Sequence, residues 1–204
     1  MAKPENLRYN SELVETQIGM FCPWQNLNTC VIMGKLNVVL EVTFLHIVLI
    51  EPEIPGNTGN IARLCAATGI ELHLVKPLGF EIDDKHLKRA GLDYWHLVKV
   101  HVHENFGEVL EKYKGHNFHY CSTKAPKAHS EAHYEADDLL VLGKETAGIP
   151  EEILQEHWDE CVRIPMVDEA RSLNLGNSAA IVAYEALRQL DYPGLSETGP
   201  GLHI

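Results

Sequence analysis

The sequence predicts an α/β protein in which a doubly wound, Rossmann-like parallel sheet carries helices on both faces. Two observations predict this fold. From residue 44 onward, short apolar runs alternate with helical patterns of about ten to fifteen residues, which is typical of parallel sheets. The first run, residues 44–50, is apolar at nearly every position, as expected for a strand that is covered on both faces.

Strands and helices follow from this alternation in chain order. Glycine or proline stands at many of the boundaries, because proline lacks a backbone donor and glycine readily adopts the left-handed conformation that ends a helix. Gly69 ends the first helix, and Pro165 ends the last strand. The predicted strands cover residues 44–50, 71–76, 97–100, 118–122, 139–143 and 161–164, and the predicted helices cover residues 57–68, 84–90, 104–114, 150–158 and 177–190.

The segment 161–190 combines a strand, a polar loop and a long amphipathic helix. Asn177 or Ser178 is predicted to cap the helix, since either side chain can accept hydrogen bonds from the first free amides. Small and polar residues fill the loop 166–176, so a ligand can approach the backbone closely at the helix entrance. The pattern predicts a strand–loop–helix ligand site and a buried helix face formed by Ala180, Ile181, Tyr184, Leu187 and Leu190.

The loop after the first strand reads Gly-Asn-Thr-Gly-Asn-Ile-Ala-Arg at residues 56–63. Its glycines permit tight turns, and Asn57 or Thr58 can cap the helix that follows. Arg63 lies one turn into that helix, where it can clamp a phosphate or a sugar hydroxyl. The alternative interpretation is an ordinary strand-to-helix turn with a surface arginine. The GxGxxG spacing of dinucleotide-binding proteins is absent from this loop.

A second loop follows the apolar strand 139–143. Gly143-Lys144 resembles the end of a phosphate-binding loop, but no glycine stands five residues before Gly143. Glu145 also occupies the position where a serine or threonine would bind magnesium, so a nucleotide triphosphatase is excluded. The Glu145 carboxylate is therefore predicted to accept hydrogen bonds from a substrate or an arginine, with a solvated loop charge as the alternative.

The overall charge, the cysteines and the apolar content of the chain limit which partners and compartments are expected. A net charge of −12 over 204 residues gives no overall positive field, so a nucleic acid would have to meet a local basic patch. Five cysteines without CxxC spacing indicate reduced thiols in a cytoplasmic protein rather than a disulfide framework. The most apolar window, residues 30–50, is interrupted by charged and polar side chains and predicts no membrane span.

Residues 1–43 differ from the rest of the chain. They show no sustained period, and Pro4 and Pro23 break local structure. We expect a poorly ordered N-terminal appendage over residues 1–43, followed by one folded domain over residues 44–204. The alternative is an extra edge strand at residues 35–41, whose apolar pattern resembles that of the first predicted strand.

The sequence contains twelve histidines, which raises the question of a metal site. The pairs His101 with His103 and His129 with His133 have no carboxylate or cysteine at a recognised ligand spacing, and the second pair does not form an HExxH motif. The sequence therefore favours scattered surface or packing histidines, and no metal ligand is predicted.

Together, three loop segments resemble the motifs of the SPOUT superfamily of S-adenosylmethionine-dependent RNA methyltransferases. Further segments, Glu-Pro-Glu-Ile-Pro at 51–55 and Arg-Ser-Leu-Asn-Leu at 171–175, are similar to the small tRNA (cytidine/uridine-34)-2′-O-methyltransferases that modify the wobble nucleotide. Gly176 departs from the serine expected at its position, and Lys144 stands where some members have proline. The three motif segments are residues 57–63, residues 143–148, and residues 164–166 with 172–174.

The resemblance implies a knotted fold, a deep trefoil in which the third loop passes beneath the second. It also implies a homodimer whose active site draws on both subunits, with tRNA as the substrate. By motif position, S-adenosyl-L-methionine would be held by Cys121, Gly143, Ile164 and Ser172, with Leu173 nearby.

The resemblance assigns the activating role to Arg63. Since a guanidinium is a very poor base in proteins, we expect Arg63 to orient the ribose hydroxyl and the adjacent phosphate. The proton would then leave to Glu145, to water or to a phosphate oxygen, and Asn174 would orient the reacting groups. The candidates for local tRNA contacts are Lys85, Lys88, Arg89 and Arg171.

Two alternatives to a tRNA methyltransferase stay open at this point. One is a 2′-O-methyltransferase that acts on ribosomal RNA, although such relatives often carry an added RNA-binding domain that is not visible here. The other is a non-catalytic RNA-binding module with a degenerate cofactor site, against which the intact motifs argue.

Overall fold

The computed structural model describes residues 45–81 and 97–201. Predictions for residues 1–43 and for the helix 84–90 lie outside the described residues, and this includes Lys85, Lys88 and Arg89. The predicted boundary between an appendage and a folded domain stays a prediction.

The described residues form a parallel sheet at the centre of the fold. Its strands are β1 (His46–Ile50), β2 (Glu71–Val75), β3 (Val100–His103), β4 (Phe118–Cys121), β5 (Lys127–Ala128), β6 (Leu139–Leu142) and β7 (Cys161–Arg163). The strand order across the sheet is β3-β2-β1-β6-β4-β7-β5, and every pair of neighbours runs parallel. The predicted parallel sheet is confirmed.

Helices cover both faces of the sheet, as predicted. They are α1 (Pro55–Thr68), α2 (Phe106–Lys112), α3 (Glu151–Glu156) and α4 (Leu175–Gln189). The two longer helices, α1 and α4, pack with one apolar cluster, and α2 and α3 contribute to a second cluster on the other face. Within the described ranges, no helix has the length and apolar character that crossing a membrane requires.

The central strand β1 shows why its sequence is apolar at nearly every position. Ile47 and Leu49 belong to the cluster that contains α1 and α4, whereas Val48 and Ile50 belong to the opposite cluster. Both faces of the strand are therefore shielded from water, and alternation of polar and apolar residues is lost. β6 is buried along its whole length for the same reason.

The structure corrects the predicted helix starts. α1 begins at Pro55, with Ile54 as an N-cap that makes no side-chain hydrogen bond, so neither Asn57 nor Thr58 caps it. Proline suits the first position of a helix. A backbone N–H at this position would have no partner within the helix, and proline has none; its φ is also already helical. α4 is capped by Asn174 rather than by Asn177 or Ser178.

Two strand predictions also change. The third strand lies at residues 100–103, three residues later than predicted, and ends at the turn that leads into α2. The short strand β5 was missed, since its two residues are too few to show any period. β5 pairs with β7 at the edge of the sheet. Its strand conformation is recognised from this pairing and not from a pattern in its own sequence.

The buried face of α4 differs from the predicted one. Of the predicted residues, Leu187 is buried, but Tyr184 is 47% exposed and Ile181 is 38% exposed. Small side chains on the inner face let α4 pack closely against α1 and the sheet. The buried residues of α4 are Ala179, Val182, Ala183, Ala186 and Leu187.

Candidate functional site

A cavity of about 610 Å³ lies beyond the carboxyl ends of β4, β6 and β7. This edge is where ligands bind in open parallel sheets, and the volume is that of a typical small-molecule site. We call this cavity the cleft. Its walls come from the segments 121–124, 142–149 and 171–175, joined by Ile54, Asn57, Leu154, Val162, Ile164, Met166 and Ser178.

All five residues predicted to hold the cofactor line the cleft, namely Cys121, Gly143, Ile164, Ser172 and Leu173. The predicted residues Glu145, Asn174 and Arg171 line it too. Arg63 does not belong to the lining and lies exposed on α1. The fold thus brings together every described residue of the predicted site except Arg63.

Glu145 holds the first loop through three hydrogen bonds. Its Oε2 accepts from the backbone N–H of Glu53 at 2.8 Å, and its Oε1 accepts from the N–H of Ile54 at 3.2 Å. The Oε1 atom also accepts from Asn57 Nδ2 at 2.9 Å. One side chain therefore ties the loop after β6 to the start of α1.

The Asn57 amide continues this connection to the third loop. Its Oδ1 accepts from Asn174 Nδ2 at 2.9 Å. The Oδ1 of Asn174 in turn accepts from the backbone N–H groups of Gly176 at 2.9 Å and Asn177 at 3.3 Å, which caps α4. Glu145, Asn57 and Asn174 form what we call the carboxylate–amide relay. It joins all three loops that carry the predicted motifs.

The relay sets the protonation state of Glu145. Burial raises the pKa of this carboxyl, but the hydrogen bonds from Glu53, Asn57 and Ile54 lower the pKa, and together they bring it below its usual value. The group is therefore a carboxylate at neutral pH, and its oxygens already accept from three donors. This environment is one that fixes a carboxylate in place, and it does not bring the pKa toward neutrality as a general base requires.

The loop after β6 is a tight turn around two glycines. The N–H of Gly148 donates to the carbonyl of Lys144 at 2.8 Å, and Gly148 adopts a φ of 73° that favours glycine. A Cβ atom on Gly143 would overlap the backbone of Gly148 and Ile149, so this position has no space for a side chain. The cleft wall at this point is consequently made of backbone.

Two further contacts attach this loop to the segment after β1. Lys144 Nζ donates to Glu51 Oε2 at 2.6 Å, and this hydrogen bond raises the pKa of Lys144. The Thr146 hydroxyl and backbone N–H both donate to Glu53 Oε2, at 2.7 and 3.1 Å. The Lys144 ammonium group therefore has a carboxylate partner beside the cleft.

Cys121 forms part of the apolar wall of the cleft. Burial raises the pKa of its thiol to about 12, so the sulfur is neutral at physiological pH. A neutral thiol is neither a strong nucleophile nor a metal ligand. Together with Leu142, Ile149 and Ile164, it offers the kind of apolar surface that a planar base can pack against.

The sequence did not predict that Asn57 connects Glu145 with Asn174. It also did not predict the contacts of Glu51 with Lys144 and of Glu53 with Thr146. Asn57 was interpreted as a helix cap, because asparagine near a helix start is common there. The segment 51–55 was matched to a family motif, but nothing local indicated that its carboxylates meet residues 144 and 146, more than ninety positions away.

The geometry can now be compared with known proteins. The sequence pattern of the SpoU rRNA Methylase family matches residues 44–184. The chain belongs to this family. The methyltransferase resemblance that the three loops predicted is thereby confirmed.

Relatives within the SpoU family agree in sequence and in fold. The tRNA (cytidine(34)-2′-O)-methyltransferase of Escherichia coli (strain K12) is 49% identical over 151 residues, which is 74% of this chain and 96% of the relative. A solved structure concerned with the 2-OH methylation of C/U34 on tRNA is 43% identical, with a TM-score of 0.69, and the match covers 73% of this chain and 97% of that one.

A more distant SpoU structure shows the cofactor. The SpoU methyltransferase AviRb from Streptomyces viridochromogenes, in complex with AdoMet, is 26% identical with a TM-score of 0.65. The match covers 74% of this chain and 60% of that one. The fold shared with these proteins is the parallel α/β fold described above.

Gly143→Ala is expected to weaken binding of S-adenosylmethionine at least tenfold, or about 1.4 kcal/mol, because the added methyl group would push the cleft wall out of place. Isothermal titration calorimetry measures the change. Gly56→Ala is the matched control, since a Cβ at Gly56 meets nothing within 4 Å. Equal cofactor affinity in the two variants would contradict the assignment of the Gly143 backbone to the binding wall.

Proposed function

We propose that this chain transfers a methyl group from S-adenosyl-L-methionine to the ribose 2′-hydroxyl of cytidine or uridine 34, the wobble nucleotide of tRNA. The observation that carries the proposal is the cleft, in which the carboxylate–amide relay joins all three SpoU motifs around one cavity. The relatives that match almost their full length to this chain support the choice of tRNA over ribosomal RNA.

The residues of the cleft fit the proposed cofactor. The backbone at Gly143 leaves no side chain in the way, and the neutral Cys121 and Ile164 supply apolar walls. Ser172 and the neighbouring backbone supply polar groups at the entrance of α4. When bound, S-adenosylmethionine would supply an electrophilic sulfonium methyl group. The chain's own contribution is to hold both reactants in the geometry of attack.

We assign different parts to the three predicted catalytic residues. Arg63 orients the 2′-hydroxyl and a neighbouring phosphate through its planar set of donors. Glu145 is a positioning residue, because its carboxylate already accepts from three donors of the first loop. Asn174 positions the third loop in the same way. The proton of the hydroxyl then leaves to water or to a phosphate oxygen, and Arg171 at the cleft is a candidate tRNA contact.

We also propose that the enzyme is a homodimer in which Arg63 of one subunit reaches the cleft of the other. Two features support this arrangement. Arg63 lies outside the lining of the cleft of its own subunit. Tyr184 and Ile181 form an exposed apolar surface on α4, the helix whose first turn lines that cleft. We further infer that residues 164–174 pass beneath residues 143–149 as a trefoil knot, since both segments line the same cavity.

A cytoplasmic location accompanies this proposal. Cys65, Cys121 and Cys161 are free thiols in the described part of the chain, which agrees with a reducing compartment where tRNA is modified.

Incubation with total tRNA and a labelled methyl donor tests the reaction, followed by mapping of the modified nucleotide. We expect label on the 2′-oxygen of nucleotide 34. Arg63→Lys should lower the saturating single-turnover rate by roughly 10²- to 10³-fold at unchanged cofactor affinity, since lysine keeps the charge but loses the planar donor set. Arg188→Lys, a change in an exposed pair with Glu185, is the control. Label on ribosomal RNA alone, or cofactor binding without any transfer, would overturn the proposal.

Glu145→Gln separates a positioning residue from a general base. The glutamine amide would face the N–H donors of Glu53 and Ile54, so we expect cofactor affinity to fall about tenfold or more. The saturating single-turnover rate should stay within about tenfold of wild type, with the same pH dependence, whereas a lost base costs about 10²- to 10⁴-fold. Glu152→Gln, at an exposed position on α3, is the control. A large rate loss at unchanged affinity would make Glu145 the base.

Ile181→Asp tests the dimer. A charge in the centre of an apolar interface is costly, so we expect the variant to sediment as a monomer and to lose methyl transfer. Analytical ultracentrifugation gives the mass, and circular dichroism checks the fold. Val102→Asp, a similarly exposed change on β3, should stay dimeric and active. A monomeric wild type with full activity would exclude an active site shared between subunits.

A further inference from the structure

Histidines line up across three neighbouring strands at a distance from the cleft. The parallel register pairs His46 of β1 with Glu71 of β2, and His73 of β2 with His101 of β3. Their side chains therefore share the sheet face that carries α2. His46 and Glu71 begin their strands, whereas the cleft lies at the opposite, carboxyl ends. The methyl-transfer site uses none of these side chains.

Three of these side chains bring potential ligand atoms close together. His46 Nδ1 and His73 Nε2 share a hydrogen bond at 3.1 Å, and Glu71 Oε2 lies 4.0 Å from His46 Nδ1. The Tyr113 hydroxyl lies 3.3 Å from the same His73 Nε2. The three atoms of His46, Glu71 and His73 fall within 4.8 Å of one another. A tetrahedral zinc ion with bonds of about 2.0–2.2 Å holds its ligand atoms roughly 3.3–3.6 Å apart. The spacing brackets that value, and an ion would take the place of the hydrogen shared by the two rings, with the proton of His46 on its other nitrogen.

Neighbouring groups fix the orientation of these side chains. His73 Nδ1 meets His103 Nε2 at 3.0 Å, and with the His73 proton on Nδ1 the Nε2 lone pair is directed toward His46. Glu71 Oε1 accepts from Lys99 Nζ at 2.9 Å, which leaves Oε2 facing His101 Nε2 at 2.9 Å. Outer hydrogen bonds of this kind orient the ligands in protein metal sites.

Both rings are uncharged, and one nitrogen of the His46 Nδ1–His73 Nε2 pair carries the hydrogen that joins them. Burial lowers the pKa of His46 to about 4, against the opposing effect of the Glu71 carboxylate. Burial likewise lowers the pKa of His73 to about 2. Both rings are neutral at physiological pH, and neutral imidazole is the form that binds a metal ion.

The cluster borders solvent on the side of Glu71 and His101. His46 and His73 are buried, but the Glu71 side chain is 15% exposed and the His101 side chain is 34% exposed. The carboxylate therefore stands between water and the two rings. A set of two imidazoles and one carboxylate suits zinc and its neighbours among the transition metals.

We propose that His46, Glu71 and His73 form a binding site for one divalent transition-metal ion of the zinc class. The ion would link β1 to β2 at their amino ends. It takes no part in methyl transfer, and the proposal does not depend on the function assigned to the cleft. The sequence missed this site because its ligands come from separate strands and show no ligand spacing along the chain.

The test uses untagged full-length protein that has been stripped with a chelator and then titrated with Co²⁺. We expect the visible absorption of a four-coordinate Co²⁺ ion at one equivalent per chain, and its displacement by Zn²⁺. His46→Gln and Glu71→Gln should each weaken binding at least tenfold. His133→Gln is the control, since His133 is an exposed histidine outside the site and its loss should change nothing.

Thermal unfolding gives a second readout that does not depend on the spectrum. Zn²⁺ should raise the melting temperature of the wild type, because an ion that binds only the folded state stabilises it. The Glu71→Gln variant, whose side chain is at the solvent edge, should fold normally by circular dichroism and show no such rise. The proposal is overturned if wild-type protein shows neither the absorption nor the rise, or if Glu71→Gln and His133→Gln bind Co²⁺ equally well.

Discussion

The hydrogen bonds of the Asn57 amide are the interaction on which the site depends. This side chain is nearly buried, so its donor and acceptor each need a partner, and leaving either unpaired would cost about 1–3 kcal/mol. Glu145 and Asn174 supply those partners from two other loops. The sheet brings the three loops to one edge, but strands alone do not fix the loops against each other. The relay does so with the polar groups of one amide.

The parallel sheet positions the loops of the cleft, and the carboxylate–amide relay holds these loops against one another. Parallel strands place the carboxyl ends of β1, β6, β4 and β7 next to one another in that order, and the buried residues of these strands pack the sheet beneath the cleft. Polar contacts then shape the loops, including the pairs Lys144 with Glu51 and Thr146 with Glu53. The resulting wall at Gly143 is backbone, so affinity for a cofactor there depends on shape more than on side-chain identity.

The sequence predicted those features that depend on local pattern or on recognisable motifs. The apolar runs located most of the strands, and the motifs located every cleft residue that was named as a cofactor contact. The prediction that Asn57 caps α1 was wrong. The sequence near a helix start is the same whether the asparagine bonds to its own helix or to Glu145, 88 positions away. The buried face of α4 was misjudged because Tyr184 fits the period as well as the small residues that face the sheet.

Glu145 and the histidines of β1 and β2 show two ways in which one sheet accommodates buried titratable side chains. At the carboxyl edge, donors surround a carboxylate and keep it charged, which lowers its pKa despite burial. At the amino edge, burial lowers the pKa of His46 and His73 and keeps both rings neutral, although the Glu71 carboxylate opposes this effect at His46. A neutral ring pair beside the Glu71 carboxylate is an arrangement that a cation would complete, whereas the Glu145 carboxylate is already satisfied. The same physical cost of burying charge therefore goes with a hydrogen-bonded carboxylate at one edge and a neutral, hydrogen-bonded pair of histidines at the other.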